Sequence, residues 1–373
     1  MTRPPFAGQI NAPNMEPRVF DKFLVAAIKA GASDVHLKCD VQPSLRVNGV
    51  LKEVTKLEAI SSGSMETLVR HIVEQRQPDT RFDRLTELDT SYEVEGVGRF
   101  RVNIMRTKGK FGIVLRIVPS VIPTLDGLGL PSVLKNFANE ERGCVLVTGV
   151  TGSGKSTTLA AIINEINCNL RKHIVTIEDP IEFMHTDQLS RLTQREVGTD
   201  TDSFGTALRS ALRQDPDVIL VGEMRDRETI DTALKAAETG HLVFSTVHTT
   251  DAARTIGRIL DAFPLDAQDA VRIRLAENLK GTISQRLLRR SDGVGRVVAM
   301  EIMVCTLSVA EMIKDPSRTP EIKDYIEKGR EHYGSQSFDQ HLIQLYESEI
   351  ITYESAKAAA SNPSDFERAL YVN

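Results

Sequence analysis

Four short apolar runs mark the middle of the chain: Cys144–Thr148, His173–Ile177, Val218–Val221 and Leu242–Val247. Each has the length and β-branched content of a buried strand, and helical patterns alternate with them. Strand–helix alternation predicts a parallel sheet with right-handed crossovers, whose ligands sit beyond the carboxyl ends of the strands. Upstream the pattern changes. Phe20, Phe23, Leu24, Ala27 and Ile28 recur at helical spacing as far as Gly31, and a strand follows to about Lys38. Ser44–Val47 and Val50–Leu51 flank the hairpin signal Asn48-Gly49. A second helix around Ser64–Glu74 precedes strands at Thr90–Val94, Gly98–Met105 and Phe111–Ile117. Helices among antiparallel strands predict a small α+β domain.

Beyond the second run a helix is predicted over Ser203–Arg213, with Arg209 and Arg213 on one face. A long helix is predicted over Asp269–Arg290, carrying Arg272, Arg274, Arg286, Arg289 and Arg290. Amphipathic helices follow at Phe338–Ser348 and Tyr353–Ala360. The expected organisation is a disordered leader over 1–17, an N-terminal domain over 18–118, a stiff linker over 119–128 bounded by Pro119 and Pro123, and an α/β domain over 129–373.

The first run leads into the most informative stretch. Gly149-Val150-Thr151-Gly152-Ser153-Gly154 follows it at once, and Lys155-Ser156-Thr157 opens a helix that runs through Ile163. This is G-x-x-x-x-G-K-[ST] in its strand–loop–helix setting. Glycines let successive N–H groups converge on an anion-sized hollow, and the helix N-terminus adds positive potential. Gly149, Thr151, Gly152, Ser153, Gly154 and Thr157 are the candidate cradle. Lys155 reaches the β- and γ-phosphates and the Ser156 hydroxyl ligates Mg²⁺. A glycine-rich turn without a ligand is the bland alternative, which the flanking strand and helix disfavour. The motif defines a nucleoside triphosphate site.

The ends of the other runs supply polar groups. Glu178-Asp179-Pro180-Ile181-Glu182 follows the second run. Carboxylates beside a phosphate site repel the ligand unless they handle metal or water, and one that orients the attacking water contributes ~10²–10⁴ in rate. A plain Asp-Pro turn is the alternative for Glu178 and Asp179. Glu223, after the third run, is placed as a Walker B acid that holds Mg²⁺, with Asp226 starting the next helix. His241 and His248 bracket the fourth run. Seven apart on a straight strand, they fall on opposite faces, which favours phosphate sensing or a structural role over a metal site. Arg99, Arg101, Arg106 and Arg116 crowd the last two strands of the N-terminal domain, either as solvated edges or facing phosphates across an interface.

Composition narrows the partners. The 373 residues carry a formal net charge of −5, which argues against a nucleic-acid binder. Cys39, Cys144, Cys168 and Cys305 are scattered, as expected of free thiols in a reducing compartment without a zinc site. No apolar run approaches the ~18–20 residues of a membrane span, and the leader lacks a signal peptide's apolar centre, so membrane association is expected to be peripheral.

The stretches GVTGSGKST, VTIEDPIEF, QREVGTDT, LRQDPDVILVGEMRD and AETGHLVFSTVHT, with GASDVHL and GRFRVN upstream, resemble the secretion ATPase superfamily, and specifically the type IV pilus retraction ATPases of the PilT/PilU group. The resemblance covers the chain after the leader. It implies a PAS-like N-terminal domain joined to a RecA-like P-loop ATPase domain, ATP and Mg²⁺ as ligands, and a homohexamer with ATP between subunits. It further implies a cytoplasmic ring at the inner face of the bacterial inner membrane, meeting a pilus platform protein and paralogous pilus ATPases, with no nucleic acid. Carried over residue by residue, Glu182 matches the catalytic glutamate in preference to Glu178, Glu223 the Walker B acid, and His241 and His248 the histidine box. Arg101 and Arg116, then Arg106 and Arg99, are the candidates that act on a neighbour's nucleotide. Pilus-extension and type II secretion ATPases are similar but usually add an N-terminal domain and a four-cysteine zinc insertion. The retraction group's A-I-R-N-L-I-R-E stretch is matched by Ser308–Asp315, where Ala310-Glu311 replaces Arg-Asn. That departure keeps an accessory, PilU-like role open, beside that of a regulatory ring.

Overall fold

The computed structural model describes residues 15–47, 49–76, 81–119 and 121–372. Most of the predicted leader, Asn48 of the hairpin turn and Ser120 of the linker lie outside them. Two compact units emerge among the described residues: one holds those up to Val121 together with Glu182–Met184, the other holds Ile122–Ile181 and those from His185 on.

In the first unit the chain runs α1 (Pro17–Lys29), β1 (Ala32–Lys38), β2 (Ser44–Val47), β3 (Val50–Glu53), α2 (Ser62–Arg76), β4 (Glu87–Val94), β5 (Gly98–Thr107) and β6 (Lys110–Ile117). The strands form a sheet in the order β3-β2-β1-β6-β5-β4, antiparallel throughout. The apolar stripes of α1 (Phe20, Phe23, Leu24) and α2 (Met65, Leu68, Ile72) bury with Val35 and Leu37 of β1 and Phe100, Val102 and Ile104 of β5. Because side chains alternate along a strand, the residues between these point to the other face. There Arg116 is registered between Asp34 on β1 and Arg101 on β5.

The second unit begins with α3 (Val133–Ala138), β7 (Gly143–Thr148), α4 (Lys155–Asn169), β8 (His173–Glu178), β9 (Arg191–Glu196), α5 (Phe204–Ala211), β10 (Val218–Val221), α6 (Arg227–Glu238) and β11 (Leu242–Val247). It continues with α7 (Ala252–Leu260), α8 (Leu265–Asn278), β12 (Leu279–Arg289), β13 (Arg296–Val304) and α9 (Leu307–Lys314). Its seven-stranded sheet has the order β13-β12-β7-β11-β10-β8-β9, parallel except for β13. The four predicted runs are its centre. Val145 and Val147 of β7 pack with Leu134 and Phe137 of α3 and Leu159, Ile162 and Ile163 of α4. Cys144 and Leu146, alternating with them, join the cluster that includes Ala207 and Leu208 of α5 and Ile230 and Leu234 of α6. Helices therefore cover both faces, as an all-apolar parallel strand requires.

The structure corrects the sequence reading in two places. The helix predicted over Asp269–Arg290 ends at Asn278, and Arg286 and Arg289 lie on β12. Gly281 is the reason: a Cβ there would lie 2.4 Å from the Phe137 ring and 2.6 Å from the Met303 carbonyl oxygen, and the following Thr-Ile pair favours strand. The stretch from Arg191 to Glu196 is a strand, β9, where no strand was expected. The remaining helices are α10 (Ile322–Lys328), α11 (Arg330–Tyr333), α12 (Phe338–Glu347), α13 (Tyr353–Ala359) and α14 (Pro363–Val372). Phe338, Leu342 and Leu345 of α12 and Phe366 of α14 cluster with Ala299 of β13, closing that edge of the sheet.

Candidate active site

Parallel strands deliver their carboxyl ends to one edge. Along that edge lie, in spatial order, the loop after β7 (Gly149–Gly154), His248 after β11, Glu223 after β10 and Glu178 at the end of β8. At ~4.8 Å per strand the row spans ~14 Å.

The phosphate loop is shaped by its own backbone. Gly149, Gly152 and Gly154 have φ of 144°, 80° and 91°, conformations that a side chain resists. At Gly149 a Cβ would also come within 2.5 Å of the Ser153 hydroxyl oxygen and 2.7 Å of the Gln285 carbonyl oxygen. Lys155 turns back so that its ammonium donates to the Gly149 and Val150 carbonyls at 2.9 and 3.1 Å. Ser153, 2% exposed, has a hydroxyl with no hydrogen-bond partner among the described residues. An orphaned buried hydroxyl beside a buried ammonium at a helix N-terminus fits a bound polyphosphate. The floor is built from β12: Gln285 Nε2 donates to Thr158 Oγ1 at 2.6 Å, and Thr148 Oγ1 donates to Ser284 Oγ at 3.0 Å.

Glu223 and His248 meet. His248 Nε2 lies 3.3 Å from Glu223 Oε2, and Arg225 pairs with the same carboxylate. Thr246 of β11 donates to the Gly222 carbonyl at 2.7 Å, and its own carbonyl accepts from Met224 N–H at 3.1 Å, so Glu223 is bracketed by backbone contacts. Gly222 lets the end of β10 approach β8: a Cβ would lie 3.2 Å from the Ile177 carbonyl oxygen and 3.4 Å from Glu178 Cα. Asp226 caps α6, accepting from the backbone and hydroxyl of Thr229 at 2.9 Å each, as expected of a helix start. The hydroxyl of Ser156 and the carboxylate of Glu223 are hard oxygen donors suited to Mg²⁺, an ion that keeps most of its ligands as phosphate and water.

Glu178 Oε1 accepts from Thr176 Oγ1 at 2.8 Å and from Gln194 Nε2 at 3.3 Å. The loop that follows is held by side chains from elsewhere. Glu196 accepts from Ile181 N–H at 3.1 Å, and Gln194 Oε1 accepts from His185 N–H at 2.8 Å. Asn167, 1% exposed on α4, donates to the Thr186 carbonyl at 2.9 Å and accepts from Gln188 N–H at 3.0 Å. Burial pushes the His185 imidazole down to about 4, so it stays neutral near pH 7. Glu182, between these anchors in sequence, groups with the first unit along with Phe183 and Met184. Sequence reasoning assigned no role to Asn167, Gln194 or Glu196, although QREVG stood out as a motif.

Five sequence candidates lie elsewhere. His241 precedes β11 at the amino end of the sheet, ~20 Å by strand rise from His248, and its Nδ1 lies 2.9 Å from the Ala236 carbonyl oxygen. The parity argument fails because neither histidine is inside the strand, and His241 is not part of this chain's own phosphate loop. Arg116 lies in the first unit, 2.9 Å from Asp34. Burial alone would raise Asp34, but the bonds from Arg116 and Ser33 outweigh it and hold the carboxyl below its ordinary range. Arg101, opposite Arg116, is exposed and makes no hydrogen bond or ion pair among the described residues. Arg99 is 7% exposed and donates to Ser91 at 3.0 Å, while Arg106 donates to the Leu85 and Gly109 carbonyls at 2.8 and 2.9 Å.

A phosphate loop closing a parallel strand, with an acid and a histidine at the neighbouring strand ends, defines a P-loop ATPase. Residues 11–365 match the family model for type II/IV secretion system proteins, and the chain belongs to that family. It is 44% identical to the type IV pilus retraction ATPase PilT of Pseudomonas aeruginosa, across 92% of this chain and 99% of that protein. It is 42% identical to the type IV pilus ATPase PilU of the same organism, across 93% and 90%. The crystal structure of the pilus retraction motor PilT with bound ADP superposes with a TM-score of 0.85 at 42% identity, covering 93% of this chain and 98% of that one.

Proposed function

We propose that this chain is an ATP-hydrolysing motor that powers type IV pilus retraction, working as a homohexameric ring on the cytoplasmic face of the inner membrane against a pilus platform protein. The 44% identity to PilT across 92% of this chain, with a complete phosphate loop, carries this reading. The loop N–H groups and Lys155 hold the β- and γ-phosphates. Ser156 and Glu223 would hold Mg²⁺, which would supply charge neutralisation at the phosphates. A water attacks the γ-phosphorus, the bond to the β–γ bridging oxygen breaks, and ADP leaves with the electron pair. Glu182 orients that water and takes its proton, with His248 on Glu223 reporting the state of the γ-phosphate. Arg101, which has no hydrogen-bond or ion-pair partner among the described residues, and Arg116 are assigned to a neighbour's nucleotide. Catalysis is then mostly positioning and charge neutralisation.

Glu182→Gln is the test of the chemistry: ATP affinity stays, and turnover falls by ~10²–10⁴. Hydrolysis near the wild-type rate would remove Glu182 from this role. Direction is tested in cells. A deletion strain should carry excess pili and lose twitching, with Lys155→Ala failing to complement, whereas absent pili would point to extension. One observation favours an accessory role as second reading: on α9, Ala310-Glu311 stands where the retraction group has Arg-Asn, and Glu311 pairs with Lys314 at 3.0 Å. A deletion strain that still twitches would support it.

A further inference from the structure

β9 is an edge strand, and each of its residues before the last is at least partly exposed. Glu196, the last, breaks that pattern at 2% exposure. A buried carboxylate is costly unless hydrogen-bonded, and this one accepts from Ile181 N–H and, at 3.3 Å, from Thr199 Oγ1. Gln194, two residues earlier and so on the same face, spends its amide on both sides: Oε1 accepts from His185 N–H and Nε2 donates to Glu178. The two N–H groups held by this pair lie four residues apart and straddle Glu182. Further on, Asn167 holds Thr186 and Gln188 from the last turn of α4, the helix whose first residue is Lys155. One rigid helix therefore carries the phosphate-binding lysine at its start and an anchor of the acidic loop at its end.

We propose that Gln194 and Glu196 are positioning residues for hydrolysis, clamping the backbone on either side of Glu182 so that its carboxylate is delivered to the attacking water. The proposal rests on the reading of Glu182 given above. Misplacing a catalytic group by ~1 Å costs up to ~10²-fold in rate, so a loosened loop lowers turnover without weakening the grip on phosphate.

The test uses steady-state ATPase assays and Mg²⁺-ATP titration on the full-length assembled protein. Gln194→Met keeps the length and removes both hydrogen bonds. It should lower kcat ~10-fold and leave KM and ATP affinity within ~2-fold. Glu196→Ala should do the same, and Glu196→Gln, which retains an acceptor for Ile181 N–H, should recover most of the loss. In a Glu182→Gln background, Gln194→Met should cause no further fall, because the clamp acts through Glu182. Wild-type kcat in both Gln194→Met and Glu196→Ala, with Glu182→Gln inactive, overturns the clamp and leaves the Glu182 reading intact. A full additional loss in the Glu182→Gln background also overturns it. Wild-type turnover in Glu182→Gln overturns the reading and the clamp together. If Gln194→Met does not fold, the Glu196→Ala and Glu196→Gln pair gives the same decision.

Discussion

The phosphate loop and the acidic loop sit on the same sheet edge and are built in opposite ways. Gly149–Gly154 takes its shape from its own glycines, from the ends of β7 and α4 on either side of it, and from a lysine that folds back onto the loop's carbonyls. Asp179–Ser190 has no such local code. It depends on Asn167 from before it and on Gln194 and Glu196 from after it. A loop defined by backbone conformation survives changes around it and fails when a glycine is replaced. A loop defined by borrowed hydrogen bonds fails when a distant polar side chain is replaced.

The contrast breaks most sharply at Gly149. Gly149→Ala puts a Cβ 2.7 Å from the Gln285 carbonyl oxygen at a φ of 144°, and backbone atoms cannot swing aside. Affinity for Mg²⁺-ATP should fall ~10²-fold or more by equilibrium titration; unchanged affinity would show that the loop is not self-defined. Asn167→Ala strikes the other loop. Thermal stability should drop by ~1–3 kcal/mol through the unpaired Thr186 and Gln188 groups, and kcat should fall ~5-fold while ATP affinity holds. Equal damage to affinity would erase the distinction. Gly222→Ala tests the seam between β10 and β8: contacts of 3.2–3.4 Å allow a small shift, so kcat should fall only ~2–3-fold.

Glu301 lies outside both loops and is the control. It is 7% exposed and accepts from Ala252 N–H at 2.8 Å. Burial pushes its carboxyl up to about 7, against a smaller opposing effect of the Ala252 hydrogen bond. A raised carboxyl stays protonated in the fold after the unfolded chain has ionised, so its contribution to stability is present below pH 4.5 and is lost by about pH 7. Glu301→Gln should flatten that fall, worth ~1–3 kcal/mol between pH 4.5 and 7, in melts across pH. Turnover should not change. A pH profile identical to wild type would mean that Glu301 is not a buried acid of this kind.

This difference in construction also decides what was legible in the chain. The four central strands, the phosphate loop and the helix start at Asp226 are local patterns, each legible in contiguous residues. Arg191–Glu196 was not read as a strand because Arg-Leu-Thr-Gln-Arg-Glu lacks the apolar run of a central strand. β12 was mistaken for helix because its arginines suggested a charged helical face, while the close approach of Phe137 that demands Gly281 comes from far along the chain. The clamp was invisible for the same reason: Gln194 and Glu196 acquire meaning only when folding brings Ile181 and His185 to them.

Arg101 and Arg116 stand side by side on one face of the first unit's sheet, with one carboxylate, Asp34, answering only the second of them. Like charges on directly opposed strand positions repel, so that surface is folded at an electrostatic disadvantage. Any polyanion that settles there relieves the repulsion, and dissolved phosphate or sulfate should therefore thicken the protection of β5 and β6 amides against hydrogen exchange more than chloride of equal ionic strength does.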